Sequence, residues 1–302
     1  MLLNVLATEL QSQVQNQELD PNHIFKAVSS LHKRIQGSYA AISLISGHGI
    51  VAFRDPFGIR PLVIGKRVSA DNKDEWMIAS ESLVLENNDY KIERDVKPGE
   101  AVFISNQGEF FSQQCSDSPK LFPCSFEYVY LARPDSIMNG ISVYKARLKM
   151  GDYLADTIKR TIRSGEVDVV MPIPDSSRPA AMQVARQLAI EYREGFFKNR
   201  YVGRTFIMPG QQKRKQSVRQ KLNAMSTEFK NKNVLIVDDS IVRGTTSKQI
   251  VQMAKDAGAN KVFFTSAAPP VRYPHVYGIN MPNREELIAH NRSISQIAER
   301  LE

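Results

Sequence analysis

Apolar positions sort the chain into a helical opening, a strand-rich middle and an alternating second half. The stretch Met1 to Leu10 has helical periodicity from its first residue, with nothing before it to serve as a cap. Asp20-Pro21-Asn22 then supplies a turn, and Pro21 or Asn22 opens a second helix. That helix runs to about Ile35, with Ile24, Val28, Leu31 and Ile35 on one face, and Gly37 ends it. The pattern next turns to strands at Tyr39 to Ile45 and Gly49 to Phe53, joined by Ser46-Gly47-His48-Gly49. Asp55-Pro56-Phe57-Gly58 is a turn by composition. Pro61 to Gly65, Trp76 to Ser80 and Ala101 to Ile104 read as further strands, so residues 1–125 form a small α+β unit.

From about Phe126 the period changes, and residues 126–302 are assigned to a second domain. Tyr144 to Arg163 predicts a helix with Leu148, Leu154 and Ile158 inward. Val167 to Ile173 is a buried strand, Pro174 to Ser177 its following loop, and Arg178 to Glu191 a helix with Pro179 in its tolerated first turn. Val234 to Val237 is a second buried strand, and Thr245, Thr246 or Ser247 can cap the helix running through Ile250, Met253 and Ala254. Lys261 to Ala267 is another strand, and Ser295 to Glu302 is again helical. Strands alternating with helices imply a doubly wound parallel sheet. Loops at the carboxyl ends of such strands form the binding crevice, so the loops after Ile173 and Val237 are expected to line one site.

A length of 302 residues suits two domains. No apolar run approaches the ~20 residues of a membrane span, so no membrane partner is expected. No signal-peptide pattern follows Met1, and the two cysteines, Cys115 and Cys124, fit a reduced, cytoplasmic setting. Two thiols cannot supply a four-cysteine iron–sulfur site. The net charge of +8 suits a binder of nucleic acid or an enzyme of anionic substrates. Much of the excess lies between Lys198 and Lys221, which carries Arg200, Arg204, Lys213, Arg214, Lys215 and Arg219 and no acid. No recognised nucleic-acid module accompanies that aromatic-poor run, so no nucleic-acid partner is expected.

The densest chemistry follows Val237. Asp238-Asp239-Ser240-Ile241-Val242-Arg243-Gly244-Thr245-Thr246 places two carboxylates and a short Gly/Thr loop between a strand and a helix. Loop N–H groups at a helix N-terminus attract phosphate. The adjacent carboxylates suit ribose hydroxyls or hydrated Mg²⁺. The stretch resembles the phosphoribosyl-pyrophosphate (PRPP) signature of the type I phosphoribosyltransferases. That resemblance implies that residues 240–246 hold the 5-phosphate and that Asp238 and Asp239 take the ribose hydroxyls, help fix Mg²⁺ and favour the cationic ring of the transition state. It also implies that Asp175-Ser176-Ser177 meets pyrophosphate and its metal, with Ser176 at the metal-linked hydroxyl. A mobile loop that closes over PRPP maps to Lys198–Lys221, with Lys198 in the PRPP-binding set and Tyr201, Arg204 and Lys221 as contacts made on closure.

A second resemblance lies upstream. Arg54-Asp55-Pro56-Phe57-Gly58-Ile59-Arg60-Pro61-Leu62, Ala79-Ser80-Glu81-Ser82 and Asp95-Val96-Lys97-Pro98-Gly99-Glu100 resemble the later half of a class II, N-terminal-nucleophile glutamine amidotransferase domain. With Phe126 to Tyr130, Arg133 to Ser136, Lys198 to Ile207 and the Asp-Asp loop, essentially the whole chain is similar to the glutamine PRPP amidotransferase family. This implies a partial glutaminase domain followed by a type I phosphoribosyltransferase domain. The implied reaction forms 5-phosphoribosylamine and pyrophosphate from PRPP and glutamine or ammonia, in the first step of purine synthesis. Purine nucleotides as inhibitors and a homo-oligomer follow from the same resemblance. In the family the glutaminase nucleophile is an amino-terminal cysteine, whereas this chain reads Met1-Leu2-Leu3. The sequence is therefore expected to be truncated at both ends and to use ammonia alone. The alternative is a non-catalytic PRPP- or nucleotide-binding regulator.

Overall fold

The computed structural model describes residues 1–14, 18–199, 222–275, 277 and 283–302. The chain divides into two compact units, Met1–Glu127 with Asp135–Val143, and Tyr128–Pro134 with Tyr144–Glu302.

The first unit opens with α1 (Leu2–Val14) and α2 (Pro21–Arg34). Asp20 caps α2 by accepting the His23 amide at 2.8 Å, and Pro21 takes the first turn, where its missing N–H costs nothing. Strands β1 (Ala40–Ile45), β2 (Gly49–Arg54), β3 (Val63–Val68) and β4 (Asp74–Ala79) follow. Then come α3 (Ser82–Glu86), β5 (Lys91–Asp95), β6 (Glu100–Ser105), β7 (Phe110–Gln114) and a short hairpin of β8 (Ile137–Met138) and β9 (Ile141–Ser142).

Strand pairing gives an antiparallel sheet β1-β2-β6-β7 and a second sheet β4-β3-β5. Side chains alternate across the first sheet with period two. Val51, Phe53, Ala101 and Phe103 pack with Leu6, Ile24, Phe25, Val28 and Leu31 of the two helices. Their neighbours Ala52 and Val102 pack instead with Leu62, Ile64 and Val96 of the second sheet's side. Strands β5 and β7 escape the apolar reading because KIERD and FFSQQ carry too few alternating apolar residues.

Strand β1 occupies one end of its sheet's order and exposes Ile42 (51%) and Leu44 (74%). An apolar edge strand is a template for intermolecular pairing. Leu44→Lys is accordingly expected to lower self-association without loss of thermal stability, measured by light scattering across protein concentration.

His32 sits beneath this sheet. Its Nδ1 shares a 2.7 Å hydrogen bond with the Tyr39 hydroxyl, and burial lowers its pKa to about 4. The unfolded chain takes up this proton below about 6.5, whereas the folded chain refuses it until about 4. Stability from this group is therefore lost as pH falls through that window, by up to roughly 3 kcal/mol. Urea midpoints measured from pH 7 to 4 should fall less steeply in His32→Gln, which keeps a polar partner for Tyr39.

In the second unit, α4 (Val143–Thr161) begins within the last residue of the first and leads to β10 (Val169–Pro172) and α5 (Arg178–Leu188). The chain continues through β11 (Glu191–Tyr192), β12 (Phe196–Lys198), β13 (Leu222–Ala224), α6 (Ser226–Phe229) and β14 (Asn233–Asp238). It closes with α7 (Thr245–Asp256), β15 (Lys261–Ser266) and α8 (Ile294–Leu301). Helix α5 stops three residues short of the Glu191 expected from sequence. Ala189 adopts a left-handed conformation (φ 54°) there, and no glycine marks the stop.

The sheet order is β11-β10-β14-β15, with every pairing parallel. Leu235 and Val237 face Ala155, Ile158, Ala181 and Val184 of α4 and α5. Val234 and Ile236 face Ile250 and Ala254 of α7, with Phe196 and Phe229. Helices cover both faces, so the apolar run of β14 is buried on both sides, as a central parallel strand requires. Among the described residues, no helix is long and apolar enough to cross a membrane.

Candidate functional site

Parallel pairing of β10 and β14, with Pro172 opposite Val237, brings the loops that follow both strands to one edge of the sheet. Ser176 in the first loop donates its hydroxyl to Asp239 Oδ2 in the second. This hydrogen bond joins two segments 63 residues apart and defines the site.

Asp238 ends β14 and is 8% exposed. Its Oδ1 accepts the Asp239 amide at 2.9 Å, and Asp239 Oδ1 accepts the Ser240 hydroxyl at 2.6 Å. Burial, and then the adjacent Asp239 charge, push the Asp238 carboxyl well above the usual carboxylate range. Burial raises Asp239 too, opposed by its hydrogen bonds from Ser176 and Ser240 and more weakly by the charge of Arg147. Two desolvated acids side by side form a locus that favours a cation or donor hydroxyls.

The loop from Ser240 to Gly244 leads into α7. Thr245, Thr246 and Ser247 do not cap this helix as the sequence suggested; Gly244 is the N-cap, left-handed at φ 77°, with no side-chain cap bond. Glycine is needed there because residues with a Cβ rarely adopt φ 77°, and a Cβ would also crowd Ile288 Cδ1 at 2.3 Å. Thr245 and Thr246 form the exposed first turn, where helix N–H groups have no intrahelical acceptor. The dipole and those donors suit a phosphate. Ile241 turns into an apolar cluster with Ile288, Ala289, Ile297 and Leu301, so this loop residue offers a ligand only its backbone.

Within the other loop, the Pro174–Asp175 peptide is cis. Asp175 pairs with Arg178 Nη1 at 2.6 Å and with Lys198 Nζ at 3.3 Å. Arg178 also reaches Glu194 through Nε at 3.0 Å. Ser177 is buried and donates to the Ile173 carbonyl, so its hydroxyl serves the turn; no cap bond to α5 is present. The structure thus brings together Asp175, Ser176, Asp238, Asp239 and residues 240–246, with Lys198 at Asp175. Tyr201, Arg204 and Lys221 lie outside the described residues.

Sequence reasoning missed Arg178 and Glu194, although Arg178 stands one helical turn from Asp175. It also missed Arg147, which is buried and donates to the Tyr128 and Ala132 carbonyls at 2.8 Å each. Arg243 Nε donates to Glu286 Oε2 at 2.6 Å, a partner 43 residues distant that no local pattern marks.

Among the described residues, no group of three or more His, Cys, Asp or Glu side chains is placed to hold a metal. Magnesium does not require one, because one or two carboxylates commonly bind it together with substrate phosphates and waters. Asp238 and Asp239 with the Ser176 hydroxyl form an oxygen donor set of that kind. Cys115 and Cys124 are buried thiols not joined in a disulfide, and burial raises the Cys115 thiol to about 11.

Known proteins resemble this chain along nearly its whole length. Residues 142–278 match the phosphoribosyl transferase domain family. The amidophosphoribosyltransferase of Pseudomonas aeruginosa is 59% identical over 300 residues, which cover 99% of this chain and 59% of that protein. A solved structure described as the allosteric regulatory enzyme of purine biosynthesis superimposes with a TM-score of 0.79 at 36% identity, over 97% of this chain and 60% of the other. The glutamine PRPP amidotransferase from B. subtilis, complexed with ADP and GMP, gives a TM-score of 0.78 at 37% identity, over 98% of this chain and 67% of the other. The chain spans about three fifths of the length of the curated relatives it matches. With relatives from bacteria to yeast aligned along nearly its whole length, the chain belongs to the amidophosphoribosyltransferase family.

Proposed function

We propose that this chain transfers the phosphoribosyl group of PRPP to ammonia, giving 5-phosphoribosylamine and pyrophosphate, the committed step of purine synthesis. One observation carries the reading: a nearly buried carboxylate pair at the end of a central parallel strand runs directly into a glycine-capped helix N-terminus and is joined to Ser176 of the neighbouring loop.

The chemistry follows from charge. Breaking the C1–O bond to pyrophosphate leaves positive charge on the ribose ring and negative charge on the leaving group. Catalysis is then mostly positioning and electrostatic stabilisation. Backbone amides of residues 240–246 hold the 5-phosphate. Asp238 and Asp239 take the ribose hydroxyls and stabilise the cationic ring. The nitrogen lone pair forms the C1–N bond as pyrophosphate departs, and the surplus ammonium proton passes to solvent. Mg²⁺, held by Asp238, Asp239 and the Ser176 hydroxyl, would supply charge neutralisation to the pyrophosphate. Lys198 and the segment through Lys221, with Tyr201 and Arg204, are assigned to closing over PRPP and excluding water, which competes with ammonia for C1.

Ammonia is proposed as the nitrogen source for these 302 residues, whose two cysteines, Cys115 and Cys124, are both buried, whereas covalent amide cleavage needs an accessible thiolate. A cytoplasmic, homo-oligomeric enzyme inhibited by purine nucleotides completes the proposal. The test is pyrophosphate release from PRPP and Mg²⁺. Release is expected with ammonium and is abolished by EDTA, whereas glutamine alone gives none. GMP or AMP should raise the apparent KM for PRPP. A folded sample that releases no pyrophosphate with saturating ammonium overturns the assignment.

A further inference from the structure

A loop that offers its N–H groups to an anion has to turn its carbonyls elsewhere, and an unpartnered carbonyl beside a phosphate would repel it. Here four consecutive loop residues are held by one short segment near the end of the chain. Ile241 packs with Ile288 and Ala289. The Val242 carbonyl accepts the Ile288 amide at 3.0 Å. Arg243 Nε is drawn to Glu286 at 2.6 Å. At Gly244 the Ile288 side chain lies against the backbone, its Cδ1 2.3 Å from where a Cβ would stand.

The segment is itself pinned. Arg292 Nη1 donates to the Leu287 and Ile288 carbonyls at 3.3 and 2.9 Å. Arg272 Nη1 donates to the Ala289 and Arg292 carbonyls at 3.2 and 3.1 Å. Ser293 caps α8 through the Gln296 amide, and Ile297 and Leu301 of that helix close the apolar cluster. Lys248 in α7 reaches the Arg300 carbonyl at 3.4 Å.

We propose that residues 286–289 are a positioning element, in which Ile288 and Glu286 hold the 240–246 loop in its anion-binding conformation and thereby set affinity for the sugar's 5-phosphate. The proposal rests on the functional reading above. A left-handed glycine leaves such a loop free to sample other shapes, and fixing it beforehand removes an ordering cost from binding. The pyrophosphate end of PRPP is assigned to the separate loop at residues 175–177, so the brace acts on one anion and not the other.

The test is calorimetric titration of the full chain with ribose 5-phosphate and, separately, with magnesium pyrophosphate. Ile288→Ala is expected to weaken ribose 5-phosphate binding about tenfold, while pyrophosphate stays within about twofold. Ile288→Val, which refills most of the space, should restore binding to within about threefold of the parent. Glu286→Ala, at a half-exposed side chain, should weaken ribose 5-phosphate several-fold and fold normally. Unchanged ribose 5-phosphate affinity in Ile288→Ala, or equal weakening of both ligands, overturns the proposal. If Ile288→Ala fails to fold, unchanged affinity in Glu286→Ala overturns it alone. Parent protein that binds ribose 5-phosphate without turnover defeats only the functional reading; parent protein that does not bind it defeats both.

Discussion

Asp238→Asn and Asp239→Asn are each expected to lower kcat/KM for ammonium-dependent pyrophosphate release by about 10²–10³-fold, the range seen when one preorganised electrostatic group is removed from an active site. Their thermal midpoints should stay level or rise. The sign follows from the folded-state pKa of each acid, which lies above its unfolded value because burial disfavours the charge. Such a group favours the folded state below the unfolded pKa, and that contribution is lost as pH rises through the folded pKa. Once pH exceeds the unfolded value, each raised acid is a burden on the fold, and an amide of the same shape relieves it. Activity loss with preserved or increased stability would mark the pair as functional. Equal loss of both would mark it as structural. Steady-state kinetics with thermal melts at pH 7.5 separate the two outcomes.

A second large effect lies in the first unit and concerns stability. Asp55 is fully buried, and its carboxylate accepts the amides of Phe57 (3.0 Å), Ile59 (3.0 and 3.2 Å) and Tyr39 (3.3 Å). Beside it, buried Arg54 donates to the carbonyls of Arg60, Val96 and Gly58 at 2.6, 2.8 and 2.7 Å. Asp55→Asn turns one acceptor oxygen into a donor facing other donors. A loss of roughly 3 kcal/mol is expected, because a buried charged acceptor is removed and the amides are left unpaired. The urea midpoint of the first unit should fall, while the second unit's transition moves little. A single unshifted transition would show that these bonds contribute nothing net.

Sequence made the architecture of the second unit legible because its strongest signals are local. Val234 to Val237 is a four-residue apolar run, and both flanking elements follow from period and composition. The acid pair, the Gly/Thr loop and the crevice loop at Ser176 could be located by that logic, with the parallel-sheet rule placing them together. The turn at Asp55 was legible too, yet the buried Arg54 and Asp55 networks behind it were not, since their partners lie as far away as Val96 and Asn139. The cap at Gly244 was misassigned to hydroxyl residues because composition favours them. What demands glycine there is the left-handed backbone at φ 77°, with Ile288 packed against it, a contact formed only when the chain returns. Glu286, which holds Arg243, likewise sits in a short turn without periodicity. Strands β5 and β7 remained hidden because their polar residues exceed their apolar ones.

The most direct measurement is the position of the ligand itself. Crystals of the chain grown with PRPP and Mg²⁺ under ammonium-free conditions should show the 5-phosphate on the amides of residues 240–246 and the ribose hydroxyls on Asp238 and Asp239, with pyrophosphate beside Ser176. Density for PRPP elsewhere on the molecule, or an empty crevice at saturating ligand, would contradict the account.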